Sequence, residues 1–204
     1  MSNDSTIAPY LNSGPIIDCE HPRVRALAAS LAKGASGPEA VAERCFLFVR
    51  DEVRHSVDFS TGPVTCVASE VLEHRVGYCY AKSHLLAALL RASGIAAGLC
   101  YQRLSFGESG PPYCLHGLNA VMLPGQGWYR VDARGNKPGV EAAFCPPVER
   151  LAFAVRGPDE RDLPGVFAEP LPQIVSLLAA GSSWEDIRDR LACGQGDAAS
   201  EADG

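Results

Sequence analysis

The sequence contains no block of basic residues, no long apolar run and no signal-peptide pattern. Its formal net charge is −6, and the last twenty residues carry six acids against two arginines. This balance does not favour a nucleic acid or an anionic membrane as a partner. The first ten residues (MSNDSTIAPY) lack the basic start and apolar core of a signal peptide. No stretch of about 18 apolar residues predicts a membrane span. We therefore expect a cytoplasmic protein that binds neither nucleic acid nor membrane.

Eight cysteines are present, but none of them belongs to a Cys-x-x-Cys pair. Cys114 and His116 are separated by a single residue, which is tighter than the usual spacing of zinc ligands. We therefore predict no metal site. Disulfides rarely persist in the cytoplasm, so most of these thiols should pack as small, buried, apolar side chains.

The predicted elements come in the order helices first, then strands. Apolar residues recur at helical spacing in the first half, and strand-like segments separated by Gly and Pro follow. The predicted helices cover residues 21–33, 38–53, 68–74, 79–93, 171–180 and 183–192, and the predicted strands cover residues 95–106, 116–123, 128–134 and, weakly, 150–155. This order predicts an α+β fold in which helices pack on a mostly antiparallel sheet.

The length of 204 residues fits one domain better than two. We assign residues 1–193 to this single domain. The acidic, Gly- and Ala-rich tail, residues 194–204 (GQGDAASEADG), has too few apolar residues to pack and is predicted to be disordered.

Cys79 opens the helix predicted at residues 79–93, which is apolar on nearly every side. Such a helix is normally the central, buried one. The N-terminus of a helix stabilises a thiolate, and its unpaired backbone N–H groups can bind the oxyanion that forms when a thiolate attacks a carbonyl. Cys79 is therefore a candidate nucleophile, with an inert, buried cysteine as the alternative.

Two further residues complete a candidate triad. His116 begins a predicted strand, and its imidazole would accept the thiol proton of Cys79 and later protonate a leaving amine. Asp132 lies on the next predicted strand, where a carboxylate would fix the tautomer of the histidine and favour its protonated form. Asn136 is an alternative orienting residue. Each of these residues, taken alone, also fits an ordinary structural role.

The triad sets a condition on the hairpin that joins the strands of His116 and Asp132. A two-residue turn pairs Asp132 with Asn119, which lies on the sheet face opposite His116. A three-residue turn at residues 124–126 pairs Asp132 with Leu118, which shares the face of His116. The hypothesis therefore requires an odd-length turn or a bulge.

Several segments resemble the transglutaminase-like domain of the papain-like cysteine enzymes. They are ASEVLEHRVGYCYAKSHLLAALLRASGIAAG, LHGLNAVML and GWYRVDARGN, and the upstream segment LFVRDEVRHS resembles the bacterial branch. The resemblance covers residues 40–137. It implies a papain-like core in which Cys79 is the nucleophile, His116 the base and Asp132 the orienting acid.

Two departures from the family pattern concern the surroundings of Cys79. Many members carry Trp beside the cysteine, whereas this chain has Tyr78 and Tyr80. No glutamine just before Cys79 offers itself as an oxyanion donor of the papain kind. The Tyr78 hydroxyl is a candidate for that contact, and packing of the ring is the alternative.

These features predict a cysteine-dependent hydrolase of protease or amidase type that forms a covalent acyl-thiol intermediate. Its substrate would be a peptide, a protein or a small amide or acyl compound, and no metal or organic cofactor is implied. One alternative is acyl transfer to an amine, as in transglutaminases. Others are a non-catalytic binding domain that retains the fold, and a redox-sensing protein in which Cys79 pairs with Cys114.

Overall fold

In the computed structural model, residues 7–107, 109–195 and 197 are described. The helices of these ranges are α1 (Pro22–Ala32), α2 (Pro38–Glu52), α3 (Ala68–His74), α4 (Cys79–Ala92), α5 (Pro172–Ala180) and α6 (Trp184–Ala192). The strands are β1 (Arg54–His55), β2 (Val76–Gly77), β3 (Ala97–Ser105), β4 (Tyr113–Leu123), β5 (Gly127–Val131) and β6 (Arg161–Asp162). Of the tail predicted to be disordered, residues 196 and 198–204 lie outside the described residues.

Helix α4 is the centre of the molecule, as its apolar sequence predicts. Every residue of α4 except Ala92 is buried. Helices α1, α2 and α3 and strands β3 and β4 all pack against it. The predicted α+β fold, with helices on an antiparallel sheet and Cys79 at the start of the central helix, is confirmed. None of the described helices has the length and apolarity that a membrane crossing needs.

The main sheet has the strand order β5–β4–β3–β6, and its strands run antiparallel. Leu123 pairs with Gly127 and Asn119 pairs with Val131, so three residues form the turn between β4 and β5. This is the odd-length turn that the triad requires. Strand β5 ends at Val131 rather than at the predicted residue 134, so Asp132 lies one residue beyond the ladder.

The weak strand predicted at residues 150–155 is wrong. That segment is irregular apart from one isolated bridge at Arg150. The backbone N–H of Ala152 donates to the carboxylate of Asp132 at 3.0 Å, so this donor is used by a side chain instead of a strand ladder. The outer strand of the sheet is instead β6, which pairs with β3.

A second, parallel pairing joins β1 to β2. Each strand is two residues long, too short to show an alternating pattern in the sequence, and neither was predicted. The pairing places His55 opposite Gly77, two residues before Cys79. It therefore ties the end of α2 to the start of α4.

Gly117 lets β4 approach the first turn of α4. A Cβ atom at this position would lie 2.9 Å from Cδ1 and 3.2 Å from Cα of Tyr80. Both distances are shorter than ordinary packing contacts, and the second is to backbone, which cannot rotate away. The glycine is needed here for close approach.

We expect Gly117→Ala to push β4 away from α4 and to lower the free energy of unfolding by about 1–3 kcal/mol. Urea unfolding monitored by circular dichroism measures this loss. Gly157→Ala is the matched control, because a Cβ there meets only Glu160 at ordinary contact distance. Equal stability of the two variants would contradict the proposed role of Gly117.

Candidate active site

Cys79 is the first residue of α4, and Tyr78 occupies the N-cap position. Cys79 is 9% exposed, and its Sγ accepts the backbone N–H of Gly117 at 3.5 Å. The first turn of a helix leaves backbone N–H groups without intrahelical partners. The thiol therefore lies beside donors that suit a negative charge on sulfur or on a reacting oxygen.

His116 and Asp132 form a buried ion pair. His116 Nε2 lies 2.7 Å from Asp132 Oδ2, and Asp132 is fully buried. Asp132 also accepts the backbone N–H groups of Arg134 (3.1 Å) and Ala152 (3.0 Å). Because Nε2 is taken by Asp132, Nδ1 is the ring nitrogen of His116 that remains for the thiol.

Asn136, the alternative orienting residue, is engaged elsewhere. Its side-chain amide exchanges two hydrogen bonds with the backbone of Ala142, at 3.1 and 2.8 Å. The bond between His116 and Asp132 thus makes Asp132 the residue placed to orient the histidine ring.

Each member of this pair stabilises the charged form of the other. Burial alone lowers the pKa of His116, but the charges of Asp132 and Cys79 and hydrogen bonds to both outweigh burial and raise it to about 10. Burial alone raises the pKa of Asp132, but the charge and hydrogen bond of His116 and the two backbone N–H groups lower it below its ordinary value. At neutral pH the site therefore holds an imidazolium and a carboxylate.

Cys79 and His116 open onto one cleft with a volume of about 470 Å³. Asp132 does not line the cleft and supports His116 from the protein interior. The apolar part of the lining includes Val57, Leu104, Phe106, Leu115, Phe153 and Leu191. Within the described ranges, no group of three or more His, Cys, Asp or Glu side chains is placed to hold a metal ion.

Tyr78 and Cys114, which the sequence analysis considered for further roles, both lie near Cys79. The Tyr78 hydroxyl donates to the Trp184 carbonyl oxygen at 2.5 Å, so it is engaged with α6. Cys114 lines the cleft, and burial together with the charge of Cys79 raises the pKa of its thiol to about 12. Tyr78 therefore acts in packing, as the alternative interpretation stated.

Other residues of the cleft were missed on the sequence. His55, Arg134, Lys137 and Arg156 line it, although they come from three separate parts of the chain. Neither spacing nor periodicity connects residues so far apart. The one available signal was the position of His55 inside the segment LFVRDEVRHS, which carries the family resemblance.

The comparisons with known proteins agree with this geometry. The family model of the transglutaminase-like superfamily matches residues 25–133. The chain belongs to this superfamily, and hence to a family of cysteine enzymes. Comparison with curated proteins gave no match.

Two solved structures show the same fold. A proposed cysteine protease from Cytophaga hutchinsonii has a TM-score of 0.52 and 21% identity, over 66% of this chain and 43% of its own. The periplasmic domain of TgpA from Pseudomonas aeruginosa has a TM-score of 0.51 and 26% identity, over 65% of this chain and 48% of its own. The matched region thus spans less than half the length of each of these structures.

Substitution of Asp132 by Asn should weaken the fold most at mildly acidic pH. The lowered pKa of Asp132 contributes stability above about pH 4, and the raised pKa of His116 contributes stability below about pH 6.5 that is lost as the pH approaches 10. We expect Asp132→Asn to cost about 3 kcal/mol at pH 5.5 and less at pH 9.5, measured by urea unfolding.

The control is Asp189→Asn, because that carboxylate is 65% exposed and its pair with Arg188 lies at the surface. We expect it to change stability by less than about 1 kcal/mol at both pH values. A cost for Asp132→Asn that is small, or that grows towards pH 9.5, would contradict the ion pair described here.

Proposed function

We propose that this chain is a cysteine-dependent acyl hydrolase of protease or amidase type, in which Cys79, His116 and Asp132 act as the catalytic triad. The observation that carries the proposal is the 2.7 Å bond between His116 and Asp132, at a cleft that Cys79 and His116 share. The order of nucleophile, base and orienting acid along the chain, together with this bond, supports thiol catalysis.

In the first half of the reaction, Sγ of Cys79 attacks the carbonyl carbon of the substrate. The carbon–sulfur bond forms as the carbonyl π electrons move to oxygen, and backbone N–H groups at the start of α4 stabilise that oxyanion. The intermediate collapses, the carbon–nitrogen bond breaks, and the imidazolium of His116 gives its proton to the leaving amine. The product is an acyl-thioester on Cys79.

In the second half, water attacks the thioester carbonyl while the now neutral His116 takes a proton from it. Collapse of the second intermediate breaks the carbon–sulfur bond, releases the carboxylic acid and regenerates the thiolate beside the imidazolium. Asp132 keeps the ring of His116 in one orientation through both halves.

Hydrolysis and acyl transfer share the acyl-thioester on Cys79 and differ in whether water or an amine accepts the acyl group. Competition between water and an added amine therefore distinguishes the two reactions.

The name of one similar structure favours hydrolysis. The Cytophaga protein is described as a proposed cysteine protease. The apolar side chains of the cleft wall, such as Leu104 and Phe106, would suit an uncharged segment of a peptide or another acyl group.

We expect p-nitrophenyl acetate to acetylate the chain at Cys79 and to be turned over slowly. Stopped-flow release of p-nitrophenol, intact mass and peptide mapping measure the acyl-enzyme. Cys79→Ala should abolish it, because the attacking atom is removed. Cys114→Ser, which alters the other thiol of the cleft, should keep at least half of the wild-type rate.

The same assay separates the alternatives. Acetylation spread over several residues, or unchanged by Cys79→Ala, would contradict the enzyme and favour a binding domain. Transfer of most acetyl groups to added methylamine at millimolar concentration would contradict hydrolysis and favour acyl transfer. A Cys79–Cys114 disulfide that forms under dilute peroxide while acylation is absent would favour the redox protein.

A further inference from the structure

A second histidine, His55, lies in the cleft and has no part in the triad. It ends β1 opposite Gly77, so the chain that carries it is hydrogen-bonded to the segment that leads into Cys79. Its side chain is 8% exposed and lines the same cleft as Cys79 and His116. The ring packs edge-on against Tyr78, with the centroids 5.7 Å apart.

The ring of His55 has no hydrogen bond within the described part of the chain. Its Nδ1 is buried without a partner, and the nearest carboxylate oxygen, Oδ2 of Asp58, is 3.8 Å away, beyond hydrogen-bond reach. A buried histidine with a structural role normally has at least one partner. His84, for example, has the Cys66 carbonyl 2.8 Å from Nδ1, while its Nε2 is buried without a partner. An unpartnered polar ring at a cleft suits a polar atom of a bound substrate.

Other polar side chains on the cleft wall or on α4 are already engaged. The Tyr78 hydroxyl donates to Trp184, and the Arg134 guanidinium makes two bonds to Asp58, at 2.6 and 3.0 Å. The Lys82 ammonium donates to the carbonyls of Val53 and Arg50, at the end of α2. His55 is the side chain among these whose donor capacity is not used.

His55 differs from His116 in its charge state. Burial lowers the pKa of His55 well below its ordinary value, the cations Arg134, Lys82 and His116 lower it further, and Asp58 opposes them. The ring is therefore neutral while His116 is protonated. A neutral imidazole can donate one hydrogen bond to a developing oxyanion without adding a second cation that would draw the thiolate away from His116.

We infer that His55 donates the second hydrogen bond of the oxyanion hole, opposite the backbone N–H groups at the start of α4. Nδ1 is enclosed and His55 lines the cleft, so we assign the donor to Nε2. As sulfur bonds to the carbonyl carbon and the π electrons move to oxygen, Nε2–H donates to that oxygen and keeps its proton. The leaving group still takes its proton from His116. This role rests on the proposed hydrolase function.

The test compares two reactions of Cys79 in two variants of similar side-chain volume. His55→Met removes the donor, and His55→Gln keeps an N–H donor. We expect His55→Met to lower the acylation rate with p-nitrophenyl acetate by about 100- to 1,000-fold. His55→Gln should be acylated at least about tenfold faster than His55→Met.

Alkylation by iodoacetamide is the second readout. It displaces iodide at a saturated carbon and forms no oxyanion, so both variants should be alkylated at Cys79 within about twofold of the wild-type rate. Exposed His74, outside the cleft, gives the control His74→Met, which should leave both rates unchanged.

The outcomes separate this role from the proposed function itself. Wild-type acylation rates in His55→Met, or equal losses of acylation and alkylation, would overturn the oxyanion role while the hydrolase stands. A wild-type chain that iodoacetamide alkylates at Cys79 but p-nitrophenyl acetate does not acylate would overturn the proposed function and the role of His55 with it.

Discussion

The close contact between the first turn of α4 and strand β4 is the constraint on which the site depends. Gly117 has no side chain to hold the two elements apart, so its backbone N–H reaches Sγ of Cys79 at 3.5 Å. The Tyr80 hydroxyl donates to the Leu115 carbonyl, and the Asn119 amide donates to the Ser83 carbonyl at 2.9 Å. These bonds fix β4 along the helix and so bring His116 to the thiol.

The charged neighbours of each buried histidine then decide its protonation state. His116 is buried, yet the fully buried carboxylate of Asp132 keeps it protonated. His55 is equally enclosed, but burial and the charge of Arg134 lower its pKa by more than Asp58 raises it, and the ring stays neutral. Two histidines of one cleft thus have different charges, one cationic and one neutral, a division of environments that is typical of acid–base sites.

Much of the fold could be predicted because it follows from local patterns. The helix after Cys79 is apolar on nearly every side, and Gly and Pro bound the strands on either side of residues 124–126. The family resemblance then implied the papain-like core. The register of the hairpin could be stated only as a condition. Whether its turn has two or three residues depends on how β4 packs on α4, which the sequence of the turn alone does not contain.

The remainder of the site depends on contacts between distant segments. Strands β1 and β2 are two residues each, and their pairing places His55 beside a cysteine 24 positions later in the chain. The segment at residues 150–155 looked like a strand, but its Ala152 N–H is used by Asp132. In both cases a tertiary hydrogen bond decides the local structure, and no local sequence pattern reports it.

The central claim is that a protonated His116 lies between the thiol of Cys79 and the carboxylate of Asp132. Nuclear magnetic resonance titration of the histidine rings in ¹⁵N-labelled protein tests it most directly. We expect the pKa of His116 to be about 10 in the wild-type chain and clearly lower in Cys79→Ala, because the charge of Cys79 is one of its causes. A pKa near the ordinary value of 6.5 that does not change in Cys79→Ala would contradict the account.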